Sequence, residues 1–333
     1  MKPVIFGLAG PALTPDEAAF FRAAEPAGFI LFKRNCENRA QLRALTDALR
    51  DLTGRADLPI LIDQEGGRVA RMQPPEWPAF PAGPAFDALY DKAPISAIEA
   101  ARANAHAIAL TLAESGITVN CMPLLDVSGA ETTEAVACRA LGSDPRRVAA
   151  LGRAVLDGLA AGGVIGVVKH MPGHGRARVD SHHQLPTVSA PAEALASDLA
   201  PFQALRDAPM GMTAHIVFEA WDAHRPATLS PTVIEQVIRA AIGFDGLLMT
   251  DDIDMKALSG TAGEKAAGAL AAGVDLVLDC WARMPEMEEI AERIGAIAPA
   301  AKARLDRAMA TLRQPEGDLA ELIARRDALL ALN

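Results

Sequence analysis

The stretch "GVIGVVKHMPGHGRARVDSHH" (residues 163–183) opens as an unbroken apolar run and turns charged at Lys169 and His170. Seven comparable short runs lie elsewhere in the chain: PVIFGLAG (3–10), GFILF (28–32), LPILIDQEG (58–66), TVNCMPLLDV (118–127), GMTAHIVF (211–218), GLLMTDD (246–252) and VDLVLDC (274–280). They are mostly continuous rather than alternating, as parallel strands covered on both faces must be. Alanine- and leucine-rich helical patterns fill the intervals. One starts at Thr14-Pro15-Asp16-Glu17, with Pro15 suited to the first helical position, and another at Asp144-Pro145. Eight strands, each followed by a helix, predict an α/β chain folded as one (β/α)8 barrel rather than an open sheet. No Pro/Ser linker, low-complexity tract or repeat divides it. Residues 1–333 therefore read as a single barrel domain, with closing C-terminal helices after about residue 284.

The polar ends of these runs fall in a common place. Asp63 and Glu65, Asp126, Lys169 and His170, His215, Asp251 and Asp252, and Asp279 all sit where an apolar run stops. In a parallel barrel those C-terminal strand ends share one rim, where active sites of this fold form. A single such residue is most often only a cap on the next helix. Six or more strands delivering polar groups to the same rim predict a shared polar pocket.

Composition narrows the classes of function. The chain has 333 residues, half of them hydrophobic, and a net charge of −10. An acidic surface argues against nucleic acid or an anionic membrane as partner, though not against a small anionic ligand met by a few local cations. The N-terminal apolar segment is cut short by Gly10-Pro11, and no run reaches the ~18 apolar residues of a membrane span. Cys36, Cys121, Cys138 and Cys280 are scattered, which suits reduced thiols better than a disulfide framework. The expectation is a cytoplasmic protein with a small-molecule partner.

Three constellations carry chemistry. In "FDGLLMTDDIDM" (244–255) a strand presents adjacent carboxylates, of which only one should enter the barrel mouth, because neighbours in an extended segment face opposite ways. A carboxylate there can attack a carbon centre, bind a metal, or cap a helix. In "LIDQEGGRVARM" (61–72) Asp63 can accept bonds from two hydroxyls, Gly66-Gly67 permit a tight turn, and Arg68 and Arg71 can donate forked bonds or merely form surface pairs. Arg139 adds a cation after the fourth strand. In the opening stretch, Gly173 and Gly175 leave the loop flexible, and Asp180 stands two residues before His182. A carboxylate at that spacing can hold an imidazole Nδ1–H and ready the other nitrogen for proton transfer. The rival is zinc, for which His170, His174, Asp180, His182, His183 and His215 offer ligands. Spacing does not choose between them.

Taken together, "DQEGGRVAR" (63–71), "RALGSDP" (139–145), "KHMPGHG" with "DSH" (169–182), "TAHIVF" (213–218), "PATLS" (226–230) and "GFDGLLMTDDIDM" (243–255) resemble glycoside hydrolase family 3. Within that family the likeness is to the short, single-domain β-N-acetylglucosaminidases of bacterial cell-wall recycling. The resemblance covers the chain from the first strand to beyond the seventh. It implies a retaining exo-enzyme acting on cytoplasmic muropeptides, GlcNAc-1,6-anhydroMurNAc with or without its peptide, and working as a monomer without metal or other cofactor. It implies Asp251 as nucleophile, His182 as proton donor with Asp180 as its partner, and Asp63, Arg71, Arg139, Lys169 and His170 as holders of the N-acetylglucosamine unit. His174 and His215 then become pocket walls or loop supports. Met171 stands where family members often carry an aromatic. The low aromatic content, 4%, agrees with a small pocket for one terminal sugar. Three other readings stay open at this level: a phosphorylase using the same site, a zinc-dependent barrel hydrolase, and a non-catalytic sugar-binding barrel.

Overall fold

The computed structural model describes residues 1–181 and 183–333. Eight parallel strands close into a barrel: β1 Lys2–Gly7, β2 Pro26–Leu31, β3 Ile60–Ile62, β4 Val119–Asn120, β5 Ile165–Met171, β6 Met210–Thr213, β7 Leu247–Asp252 and β8 Leu276–Asp279. Each pairs with its neighbours in sequence, and β8 closes on β1, with Val4 opposite Val277. Helices follow every strand on the outside, so the expected (β/α)8 architecture is the one observed.

Strand pleating explains why the runs are apolar throughout. Ile5, Ile30, Leu61, Val119, Ile165, Val167, Met210, Met212, Leu247, Met249, Leu276 and Leu278 form one buried cluster inside the barrel. Their neighbours Val4, Phe6, Phe29, Leu31, Ile60, Ile62, Val168, Leu248 and Val277 belong to the other, between sheet and helices. Both faces are covered, so both parities must be apolar.

Local signals act as read. Thr14 Oγ1 accepts from the Glu17 N–H, and the Glu17 carboxylate accepts from the Thr14 N–H, a reciprocal cap on helix Pro15–Ala24. Asp144 accepts from the N–H groups of Arg146 and Arg147 at the start of helix Pro145–Ala161. Helix Met284–Arg293 is the eighth barrel helix. Beyond it, helix Pro299–Met309 sends Leu305, Ala308 and Met309 into the interior cluster and closes the barrel floor. Helix Leu319–Leu330 lies against helix Pro94–Glu114 on the outside.

Three expected runs are broken. Residues 58–66 leave the barrel at Asp63, and Gln64–Gly66 pairs back antiparallel on Val69–Ala70. Gly66 and Gly67 have φ of +103° and +58°, and a Cβ on Gly66 would lie 2.3 Å from the Pro81 carbonyl oxygen. The run 118–127 keeps only two strand residues, because Pro123 has no N–H for the ladder. The run 211–218 splits: Val217–Phe218 pairs instead with Thr187–Val188, tying the ends of the loops after β5 and β6 together.

Because Leu305 fills the floor of the barrel at 1% exposure, Leu305→Ala is expected to cost about 2–5 kcal/mol through lost burial and the cavity left behind. Urea unfolding of the two proteins checks this.

Candidate active site

The rim at the C-terminal strand ends gathers an alternating chain of charges. Lys169 follows inward-facing Val167 on β5 and is 2% exposed. Its ammonium lies 3.0 Å from Asp63 Oδ1 and 2.7 Å from Glu65 Oε1. Asp63 Oδ2 accepts from Arg71 Nη2 at 3.0 Å. Both oxygens of Glu65 accept from Arg139, at 2.8 Å from Nε and 2.6 Å from Nη2. The sequence Arg71–Asp63–Lys169–Glu65–Arg139 thus alternates sign throughout. Burial pushes the Asp63 and Glu65 carboxyls up. For Asp63 the charges of Lys169 and Arg71, and for Glu65 those of Arg139 and Lys169, reverse this and hold each below the usual carboxylate range. Lys169 is held above its ordinary value despite burial, chiefly by Glu65 and Asp63.

The hairpin after β3 is what returns Arg71 to Asp63. The buried Gln64 side chain clamps it, accepting from the N–H groups of Arg71 and Met72 and donating to the Met72 carbonyl. Phe32 supports the arginine from below, with the Arg71 guanidinium 5.2 Å from its ring centroid.

A second unit centres on Asp126, fully buried at the end of the run after β4. Its Oδ2 accepts from His170 Nδ1 at 2.8 Å, and its Oδ1 from the N–H groups of His170 and His174. Burial alone would raise this carboxyl. The His170 charge and hydrogen bond, with His174, bring it down to about 2. A carboxylate can only accept, so the proton sits on Nδ1 of His170 and the other nitrogen is turned to the mouth. There His170 Nε2 stands 3.9 Å from Asp251 Oδ2.

Asp251 and Asp252 diverge as adjacent residues should. The register of β7 against β8 shifts between Met249 and Asp252, and Thr250 Oγ1 takes the Leu278 N–H. Such an irregularity re-aims side chains near a site. Asp251 approaches His170, whereas Asp252 Oδ1 accepts from the Cys280 and Asp254 N–H groups. The Asp252 N–H donates to Asp251 Oδ1 at 2.8 Å. Burial pushes the Asp251 carboxyl up, but His170, His215, the Asp252 N–H and Lys169 together hold it below its ordinary value. His215 donates from Nε2 to the Asp252 carbonyl and meets Thr228 Oγ1 at Nδ1. Burial keeps both His215 and His174 below the usual imidazole value, favouring the neutral ring.

Asp63, Arg71, Arg139, Lys169, His170 and Asp251 are therefore brought to one mouth. Asp180 lies in the loop after β5, where its carbonyl accepts from the His183 and Gln184 N–H groups. His182 lies outside the described residues. Gly175 in this loop serves a close approach rather than flexibility: a Cβ there would fall 1.8 Å from the Val127 carbonyl oxygen. Arg68 is exposed and belongs to the hairpin tip. The sequence places Glu65 and Asp126 at the rim but assigns neither a role, although Glu65 stands two residues after Asp63. Among the described residues no group of three His, Cys, Asp or Glu side chains is placed to hold a metal ion, and His170, His174 and His215 are bonded to Asp126, Ser181 and Thr228. Among the described residues, too, no helix is long and apolar enough to cross a membrane.

An inward carboxylate kept ionised, set beside a chain of fixed donors and acceptors at a barrel mouth, is the equipment of a polyol-handling enzyme. Residues 13–313 match the glycosyl hydrolase family 3 N terminal domain, and the chain belongs to that family. A protein named beta-hexosaminidase from Bordetella avium (strain 197N) is 36% identical over 323 residues, which cover 95% of this chain and 90% of that one. NagZ from Neisseria gonorrhoeae, solved in complex with N-trifluoroacetyl-D-glucosamine, matches with a TM-score of 0.88 at 30% identity, covering 99% of this chain and 98% of its own. A family 3 beta-N-acetylglucosaminidase from Paenibacillus sp. str. FPU-7 matches with a TM-score of 0.82 at 33% identity, but this chain spans only 61% of its length. The protein is a glycoside hydrolase of the β-N-acetylhexosaminidase class.

Two outcomes test this geometry. Lys169→Met leaves two buried carboxylates facing each other and is expected to cost about 3–5 kcal/mol at neutral pH in urea unfolding. For Asp126 the folded carboxyl, at about 2, lies below its ordinary 3.8. Its stabilisation is thus present above about pH 4 and lost as pH falls towards 2. Asp126→Asn should flatten that acid dependence in thermal unfolding measured across the same range.

Proposed function

We propose that this chain is a retaining exo-β-N-acetylglucosaminidase that removes the terminal N-acetylglucosamine from muropeptides, GlcNAc-1,6-anhydroMurNAc with or without its peptide, in the cytoplasm. The observation that carries the reading is Asp251: an inward carboxylate held below its ordinary value, 3.9 Å from the His170 ring. A weakly basic carboxylate is ionised when it must attack and leaves readily when it must depart.

In the first step Asp251 attacks the anomeric carbon, the glycosidic C–O bond breaks, and the leaving oxygen takes a proton from the His182 imidazolium. In the second, neutral His182 takes a proton from water, the water oxygen attacks the same carbon, and the Asp251–carbon bond breaks. Two inversions restore the β configuration. Asp180, two residues before His182, is its orienting partner. Asp63 accepts from sugar hydroxyls, Lys169 and Arg71 donate to hydroxyl or amide oxygens, the mouth-facing Nε2 of His170 accepts from a hydroxyl, and Arg139 anchors Glu65 behind them. The reaction needs no cofactor, and one barrel of residues 1–333 acting as a monomer contains every group named. The family likeness to named hexosaminidases favours water over phosphate as acceptor.

Treatment with a slow fluorinated N-acetylglucosaminide, followed by mass spectrometry, is expected to place one sugar on the peptide containing Asp251. A label on any other peptide sinks the assignment. Asp251→Ala should lose at least about 10³-fold in kcat on an aryl β-N-acetylglucosaminide, a loss of about 4 kcal/mol in barrier terms. His182→Ala should lose far less on dinitrophenyl than on methyl leaving groups, because only the latter need protonation. Equal losses on both would remove His182 from the role of acid. Added inorganic phosphate should leave the rate and the free-sugar product unchanged.

A further inference from the structure

Behind the nucleophile lies a carboxyl that the mechanism above does not use. Asp279 ends β8 at 1% exposure, and its Oδ2 has no hydrogen-bond partner among the described residues. It stands between Leu278 and Cys280, both of which face the barrel interior, so its own side chain is turned outward. Buried polar atoms are almost always paired, and an exception calls for a reason.

The surroundings of Asp279 lead directly to the catalytic turn. The Leu278 carbonyl before it accepts from the Ile253 N–H, and the Cys280 N–H after it donates to Asp252 Oδ1. Asp252 and the residue after it thus hold the backbone on either side of Asp279. Asp252 in turn donates its N–H to Asp251 Oδ1 and receives His215 Nε2 on its carbonyl. Any force on the Asp252 carboxyl is passed to the nucleophile within one residue. The charged groups acting on this place are Asp252 and Asp254 from the end of β7, Glu286 and Arg283 from the start of the last barrel helix, and Arg34 from the turn after β2. Arg283 is engaged by Asp254 and Glu286, and Arg34 by the Leu8 and Cys280 carbonyls, so among the described residues neither cation bonds Asp279.

We propose that Asp279 is a positioning residue for Asp251: as a neutral acid it lets Asp252 hold the nucleophile's turn, and when ionised it repels Asp252 and loosens that turn, so that activity falls on the alkaline side. The step is the loss of one proton from the Asp279 carboxyl to solvent, with no other bond changed. Burial first, then the charges of Asp252, Glu286 and Asp254, push this carboxyl up to about 7, and burial raises Asp252 to about 6. Two adjacent acids of this kind lose their protons in sequence, the second against the charge of the first.

The proposal rests on Asp251 being the nucleophile, and its test is chosen to separate the two. With a 2,4-dinitrophenyl β-N-acetylglucosaminide the leaving group needs no proton, so titration of the general acid no longer shapes kcat/KM. The parent enzyme should still lose about tenfold in kcat/KM over the unit or so of pH above the Asp279 transition. Asp279→Asn should move that limb upward by a pH unit or more, with kcat at pH 6 within about twofold of the parent, since a pKa unit is a tenfold change in proton affinity. Asp279→Leu, which cannot ionise and needs no partner, should behave the same if the amide disturbs folding. A parent profile that stays flat on this substrate, or an Asp279→Asn profile that superimposes on the parent's, overturns the proposal. A sugar-labelled Asp251 with an unmoved limb overturns the role of Asp279 alone; a label on another residue removes the reading beneath it.

Discussion

One buried ammonium organises the barrel mouth. Lys169 is almost wholly removed from water, and an unpaired charge in that place would be prohibitive. Asp63 and Glu65 neutralise it and leave negative charge in excess, which Arg71 meets at Asp63 and Arg139 at Glu65. Each of these five groups is fixed by the next, across β3, its hairpin, β5 and the segment after β4. The protein's own ion pairs hold this array together, which is what hydroxyl recognition requires: donors and acceptors already aimed, with little ordering left to do on binding.

The catalytic carboxylate is set against this array rather than within it. Asp251 is not ion-paired to Lys169; it meets the mouth-facing side of the His170 ring, itself held by Asp126. Strand alternation makes this possible, and the register shift of β7 against β8 brings Asp252 to the Cys280 N–H. One aspartate faces the mouth and the next is committed to the backbone of β8. Adjacent carboxylates that would repel each other if both entered the pocket are therefore given different tasks, one chemical and one mechanical. Neutral His215 joins them by holding the peptide between.

Much of the site was legible because its residues are strand ends. Inward parity at Leu61, Val167 and Met249 carries two residues further to Asp63, Lys169 and Asp251, and counting along an apolar run finds all three. What could not be counted was where a run stops being strand. The hairpin at Gln64 turns back on Val69–Ala70, the break at Pro123 rests on a single missing N–H, and the re-pairing of Val217–Phe218 needs Thr187–Val188, far off in sequence. Glu65 and Asp126 read from the sequence as rim residues without an individual role. Their meaning lies in whom they meet, Arg139 and His170, and neither pairing has a local signature.

The chain's own order of residues determined the barrel, its eight strands, its helix starts at Thr14 and Asp144, and the ring of polar groups at one rim. These follow from local periodicity and capping, which act over a few residues. The tertiary structure alone decided which charges pair, that the Asp252 carboxylate takes the Cys280 N–H across a shifted register, and that Asp279 Oδ2 is buried without a hydrogen-bond partner among the described residues. Those outcomes depend on distances between strands that are far apart in sequence, and electrostatic energy in a dry interior changes steeply with such distances.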